Sequence, residues 1–131
     1  MTSSEASKAI KNVSAEIKVF SEDELLNGVE NEIREAYMLI KQIAYQVNPD
    51  VEERIKKTMM GFYTGGKGLM WVKPTKRNIT VLLRKGDDYK DRNGQVIKGG
   101  LGNYPALHLS ASEIDTVFIR KLIEQANNVQ K

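Results

Sequence analysis

The sequence predicts an α+β fold: a two-layer sandwich whose antiparallel sheet carries N- and C-terminal helices on one face. Three observations lead there. An apolar stripe of helical period, Ile33, Tyr37, Ile40, Ala44 and Val47, occupies the first half of the chain. The period changes to two across residues 52–84, where short turns join apolar runs. A second helical stripe, Ile114, Val117, Phe118, Leu122 and Ala126, lies near the end. Runs joined so tightly must be antiparallel neighbours, because parallel pairs need a long crossover.

Each element has a local reason. Residues 1–20 place Ile10, Val13, Ile17 and Phe20 at helical spacing and read as an N-terminal extension or short helix. A single domain then spans 21–131. Ser21-Glu22-Asp23-Glu24 fits a capping box, in which the serine and the glutamate satisfy each other's orphan backbone amides. Gly28 divides that first turn from a long helix starting near Val29. Asn48-Pro49 ends the helix, since proline disfavours helical geometry in the residue before it. Ile55, Met59, Met60 and Phe62 predict one strand, Leu69–Lys73 a second and Asn78–Arg84 a third, with turns at Gly65–Gly68 and Pro74–Arg77. This gives a three-strand meander. Residues 85–104 form a polar, glycine-rich excursion, and Asn93-Gly94 marks a hairpin within it. Ala106–Ser110 predicts a further strand, and Ser110-x-x-Glu113 a second capping box opening the last helix.

Composition narrows the chemistry. There are no cysteines, which excludes disulfides, thiolate metal sites and a cysteine nucleophile. No apolar run approaches the roughly 20 residues that span a bilayer. Met1-Thr2-Ser3-Ser4-Glu5 lacks the basic and then apolar regions of a secretory signal, so the expected location is the cytoplasm. The net charge of +3 hides a strong asymmetry: residues 1–53 carry −6, residues 54–98 carry +9 and the rest are neutral. Clustered lysine and arginine attract polyanions. The competing explanation is a solvated sheet face that the acidic first third neutralises.

Catalytic and metal motifs fail on inspection. Gly61-Phe62-Tyr63-Thr64-Gly65-Gly66-Lys67-Gly68 approaches a phosphate-binding loop, but Gly68 stands where a magnesium-ligating hydroxyl belongs, and a strand rather than a helix follows. A calcium loop around Asp91-Arg92-Asn93-Gly94 would need ligands at Tyr89 and Gly100. His108, the sole histidine, lies opposite in phase to Leu107 and Leu109 and so points to solvent, with no second histidine or cysteine beside it. A restriction-type nuclease wants an aspartate before Glu-x-Lys, yet Glu16-Ile17-Lys18 has no aspartate upstream, and no Glu-x-Lys follows Asp87 and Asp88. No catalytic constellation, metal site or cofactor is expected.

What remains is a basic and aromatic surface. If Met70 and Val72 face the helices, Trp71 and Lys73 face outward with Thr80, Leu82 and Arg84. Lys76 and Arg77 adjoin at the turn, and Lys85, Lys90, Arg92 and Lys98 belong to the excursion. Tryptophan among cations is the composition of a single-strand platform, on which bases stack while phosphates are neutralised. The same tryptophan could instead pack beneath the excursion or anchor a protein partner.

Several motifs in order, Phe20-Ser21-Glu22-Asp23-Glu24-Leu25, Asn48-Pro49-Asp50-Val51, Trp71-Val72-Lys73-Pro74 with Lys76-Arg77, Gly99-Gly100-Leu101-Gly102-Asn103 and Leu107-His108-Leu109-Ser110, make residues 19–127 resemble the bacterial family called domain of unknown function 5655. That family is often appended to restriction-type nucleases and has no established catalytic residue. The resemblance therefore implies an accessory role near nucleic-acid processing, in restriction or defence. Two departures stand out: Glu24 replaces a histidine, and Gly100-Leu101-Gly102-Asn103 lacks a tryptophan.

Three functions follow as expectations. The first is a non-catalytic module that contacts DNA or RNA through Trp71, Lys73, Lys76, Arg77, Arg84, Lys85, Lys90, Arg92 and Lys98. The second is a protein-interaction or dimerisation module using Trp71, Leu82 and Tyr104. The third is an enzyme in which Asp87, Asp88 and Asp91 converge with acids from elsewhere. No membrane partner is expected.

Overall fold

The computed structural model describes residues 21–56 and 58–129; the N-terminal extension or short helix read over 1–20 lies outside them. Helix α1 (Glu22–Leu25) leads into α2 (Asn31–Val47). Five strands follow, β1 (Glu52–Ile55), β2 (Met60–Thr64), β3 (Lys67–Pro74), β4 (Ile79–Leu83) and β5 (Ala106–Leu109), and α3 (Thr116–Asn128) closes the fold. The sheet runs in chain order, antiparallel throughout. The architecture is the α+β sandwich the sequence predicts.

Local chemistry explains the elements. Ser21 and Glu24 form the expected capping box, the serine hydroxyl accepting from the Glu24 amide at 3.1 Å and the glutamate from the Ser21 amide at 3.2 Å. The β2–β3 connection is a two-residue turn with Gly65 and Gly66 at φ +56° and +80°, conformations that favour glycine. Two details differ from the sequence reading. The run taken as one strand before Gly65 is two, β1 and β2, hinged where the Lys56 amide meets the Met59 carbonyl at 2.8 Å. Its charged Glu-Glu-Arg-Ile stretch makes an exposed edge strand and so shows no apolar alternation. At the other end, Ser110 and Glu113 shape only a single 3₁₀ turn (Ala111–Glu113). The helix starts later, under Asp115, which accepts from the Val117 and Phe118 amides at 2.9 and 3.3 Å. Of the expected stripe, Leu122 and Ala126 are buried and Ile114 and Phe118 pack against the core, joined by Ile119 and Ile123, while Val117 is exposed.

The core lies between the helices and one sheet face. Ile40, Ile43 and Tyr37 of α2 and Ile119 and Ile123 of α3 belong to one buried cluster with Phe62, Met70, Val72, Val81 and Leu83. The excursion contributes as well: Tyr89 and Ile97 are buried in this cluster, and the Tyr89 hydroxyl donates to the Arg84 carbonyl at 2.6 Å. The Asn93-Gly94 arm is present, closed by the Asp91 carboxylate accepting from the Asn93 and Gln95 amides.

A polar network ties α1 and β1 to α2. Glu22 accepts from the Tyr37 hydroxyl and from the Lys41 ammonium, both at 2.7 Å, and Lys41 also lies 3.3 Å from Glu53. Burial pushes the Glu22 carboxyl up, but the hydrogen bonds from Lys41 and Tyr37 outweigh it and hold the group below its ordinary value. Burial lowers Lys41, yet Glu22 and Glu53 leave it raised. Burial and the Glu22 hydrogen bond push the Tyr37 phenol above its ordinary range. The Glu22 contribution to stability is therefore present above pH 4.5 and lost as pH falls through its lower folded value. The contributions of Lys41 and Tyr37 are lost only in strong alkali. Glu22→Gln should cost about 1 kcal/mol at neutral pH. Its deficit in urea titrations should shrink as pH drops below about 4.

Candidate functional site

Strand register fixes which side chains share the sheet's outer face. Gly61 pairs with Trp71, Trp71 with Leu82 and Leu82 with Ala106, while Arg54 pairs with Gly61. Lys73 pairs with Thr80, and Thr80 with His108, whose Nδ1 lies 3.0 Å from the threonine hydroxyl. The partners on the opposite face, Met60, Met70, Val72, Val81 and Leu83, belong to the core. Trp71 and Lys73 therefore occupy the helix-free side.

The centre of that face is a row of rings running across the strands. The half-buried Trp71 meets Tyr63 edge-on at 6.0 Å between centroids and Tyr104 at 4.8 Å, tilted by 58°. The indole N–H donates to the Tyr63 hydroxyl at 3.2 Å. Cations close both ends: the Arg54 guanidinium lies 4.3 Å from the Tyr63 ring centroid and the Lys85 ammonium 4.4 Å from that of Tyr104. The indole needs two glycines beneath it. A Cβ at Gly68 would lie 2.2 Å from Trp71 Cζ2, and one at Gly61 would lie 3.1 Å from Trp71 Cδ1.

A β-bulge makes the Gly68 contact possible. Phe62 pairs with Met70 but Tyr63 pairs with Gly68, so Leu69 is an extra residue in β3. Leu69 and Met70 are both buried in the core, which leaves Gly68 and Trp71, three residues apart, on the same outer face. Two open clefts flank the ring row, of about 340 and 380 Å³. Both are lined by Tyr63, Trp71 and Tyr104. The first adds Lys56, Met59, Leu82 and Gly102; the second adds Lys67, Gly68, Arg84 and Lys85.

The nine residues read from the sequence divide. Trp71, Lys73 and Lys85 share the outer face. Arg84 lines the second cleft, but its guanidinium is taken up by the scaffold. Its guanidinium donates to the carbonyls of Gly68 at 2.8 Å and Val129 at 3.0 Å and to the Thr64 hydroxyl at 2.7 Å, so it serves the β2–β3 hairpin and the end of α3. The reason is its place opposite the bulge, where its amide donates to the Leu69 carbonyl and strict alternation fails. Lys76 and Arg77 sit at the β3–β4 turn, facing the start of α2: Glu30 donates its amide to the Lys76 carbonyl, and Arg77 Nε lies 3.5 Å from the Glu30 carboxylate. Lys90 and Arg92 belong to the arm beside α3, where Gln125 reaches the Asp88 carbonyl and Arg92 lies 3.8 Å from Asp115. Lys98 is exposed beside the start of β5, its carbonyl accepting from the Ala106 amide.

Sequence reasoning missed Arg54, Lys56, Tyr63, Lys67 and the two glycines. Tyr63 was within reach, since it follows Gly61 by two and shares its strand face. The proposed acids do not converge: Asp87 pairs with Gln125, and the Asp91 carboxylate is taken up by its own turn. Among the described residues, no group of three metal-ligating side chains gathers, and no helix is long and apolar enough to cross a membrane. Comparison with curated proteins and with solved structures yields no match. Residues 22–128 do match the family model of a domain of unknown function (DUF5655), and with most of its length covered the protein belongs to that family.

Proposed function

We propose that the protein is a non-catalytic accessory module that binds nucleic acid through the helix-free face of its sheet. The carrying observation is the row Arg54, Tyr63, Trp71, Tyr104 and Lys85, three rings bracketed by two cations on the outer face of the sheet. Rings offer stacking area to bases, and the surrounding Lys56, Lys67 and Lys73 offer charge to phosphates. The face extends to residues 102–104 of the excursion through Gly102 and Tyr104, but not to the arm that carries Lys90 and Arg92. A protein-interaction role is less favoured by the geometry. Leu82 is only 4% exposed and adds little apolar area for a partner, while the lysines around the rings match an anion better than an apolar interface. In this reading the module works in the cytoplasm beside nucleic-acid-processing enzymes, in the restriction or defence setting that the family resemblance implies.

Salt dependence tests it. Titrating a labelled oligonucleotide by anisotropy across a potassium chloride series should give a log–log slope of about −3, roughly 0.7 for each of four or five neutralised phosphates. The double variant Lys73→Glu, Lys85→Glu should flatten the slope and weaken binding about ten-fold or more. Binding that ignores salt, or no binding at low salt, would remove the reading.

A further inference from the structure

We infer that the two clefts beside Trp71 receive two consecutive unpaired bases, so that the face selects a single strand over a duplex; this rests on the nucleic-acid reading above. The clefts share the same three aromatic walls and lie on opposite sides of the ring row, displaced along the strand direction. One opens toward Lys56 and Met59 at the β1–β2 turn, and the other toward Lys67 and Lys85 at the far end of β3. A polymer crossing the row therefore runs along β3, with the indole standing between its successive units and cations at either end of its path. Depressions of similar volume along α2 have Tyr45 as their one ring and lack this arrangement.

The wall chemistry chooses the occupant. Three rings around a slot can hold a quaternary ammonium, but here Arg54 and Lys85 already lie over the outer two rings and would repel a cation. Among the described residues no carboxylate lines either cleft, while lysine stands at the edge of both. A flat π-system linked to an anion fits both features, and a chain of them fits two adjacent clefts. A base stacked within a duplex offers only its edge to this surface, so the slots are open to it only after unpairing.

Trp71 is the only tryptophan in the chain, so its fluorescence reports on the site directly. The test titrates the whole protein at low salt with a mixed-sequence strand of roughly 16 nucleotides, the upper site size of OB-fold single-strand binders, the same strand annealed to its complement, and a free mononucleotide. The strand should quench the emission and bind about ten-fold or more tightly than either alternative. Lys56→Glu and Lys85→Glu, both at exposed positions, should keep the unliganded emission and each weaken strand binding several-fold. Equal affinity for strand and duplex, or strand binding without quenching, overturns the inference and leaves nucleic-acid binding standing. A mononucleotide binding as tightly as the strand overturns it in favour of a nucleotide pocket. Failure of all three ligands to bind removes the nucleic-acid reading itself.

Discussion

Replacing Arg84 with methionine is expected to destabilise the fold by about 3 kcal/mol and to lower the melting temperature by roughly 10 °C. The guanidinium reaches across three elements: the hydroxyl of Thr64 in β2, the carbonyl of Gly68 in β3 and the carbonyl of Val129 past the end of α3. Charge-assisted bonds of this kind are individually worth about 1.5–3 kcal/mol, and removing the donor leaves half-buried acceptors unpaired. The charge also sits where the helix dipole of α3 is negative. Arg84→Lys should recover little of the loss, because an ammonium is a point donor and cannot match a planar fork that spans all three partners. Chemical denaturation of the two variants measures this. Where both remain folded, the salt slope of nucleic-acid binding should equal that of the parent, whereas a phosphate-contacting arginine would lower it by about 0.7. A lysine variant as stable as the parent would contradict the structural assignment.

Arg84 also shows where sequence reading stops. The helices were legible because Ile33, Tyr37 and Ile40 repeat at helical spacing and because Ser21 and Glu24 bracket a helix start. The phase of β3 was legible because Met70 and Val72 alternate with Trp71 and Lys73, and this placed Trp71 and Lys73 on the outer face. Alternation assumes an unbroken ladder. The bulge at Leu69 breaks it, and local composition does not mark the bulge, since Leu69 and Met70 read equally well as inside or outside residues. Two errors follow from that one residue: Arg84 was read as a cation free to meet phosphate, and Gly68 was not seen as the neighbour of Trp71. The excursion misled for another reason. Its polar composition concealed two apolar anchors, Tyr89 and Ile97, whose burial turns the arm toward α3 and takes Lys90 and Arg92 away from the ring row.

Gly68→Ala should separate the site from the scaffold. Gly68 needs no unusual backbone; its requirement is space, because an added methyl would fall 2.2 Å from Trp71 Cζ2 and 2.5 Å from Cη2. Overlap of that size cannot be absorbed by shifts of tenths of an ångström, so the indole must leave its position. It then gives up the hydrogen bond to Tyr63 and its contacts with Tyr63 and Tyr104, a loss of about 2 kcal/mol. The expected signature is a red-shifted tryptophan emission and nucleic-acid affinity reduced about ten-fold, with far-UV circular dichroism unchanged. Gly66→Ala is the matched control two residues away. None of the described residues lies within 4 Å of its added methyl, but φ of +80° strains any L-residue, at a cost of about 1 kcal/mol in stability. Its emission and binding should stay at parent values. If Gly68→Ala instead kept both emission and affinity, the indole would not rest on that glycine, and the ring row could not be the element that recognises the ligand.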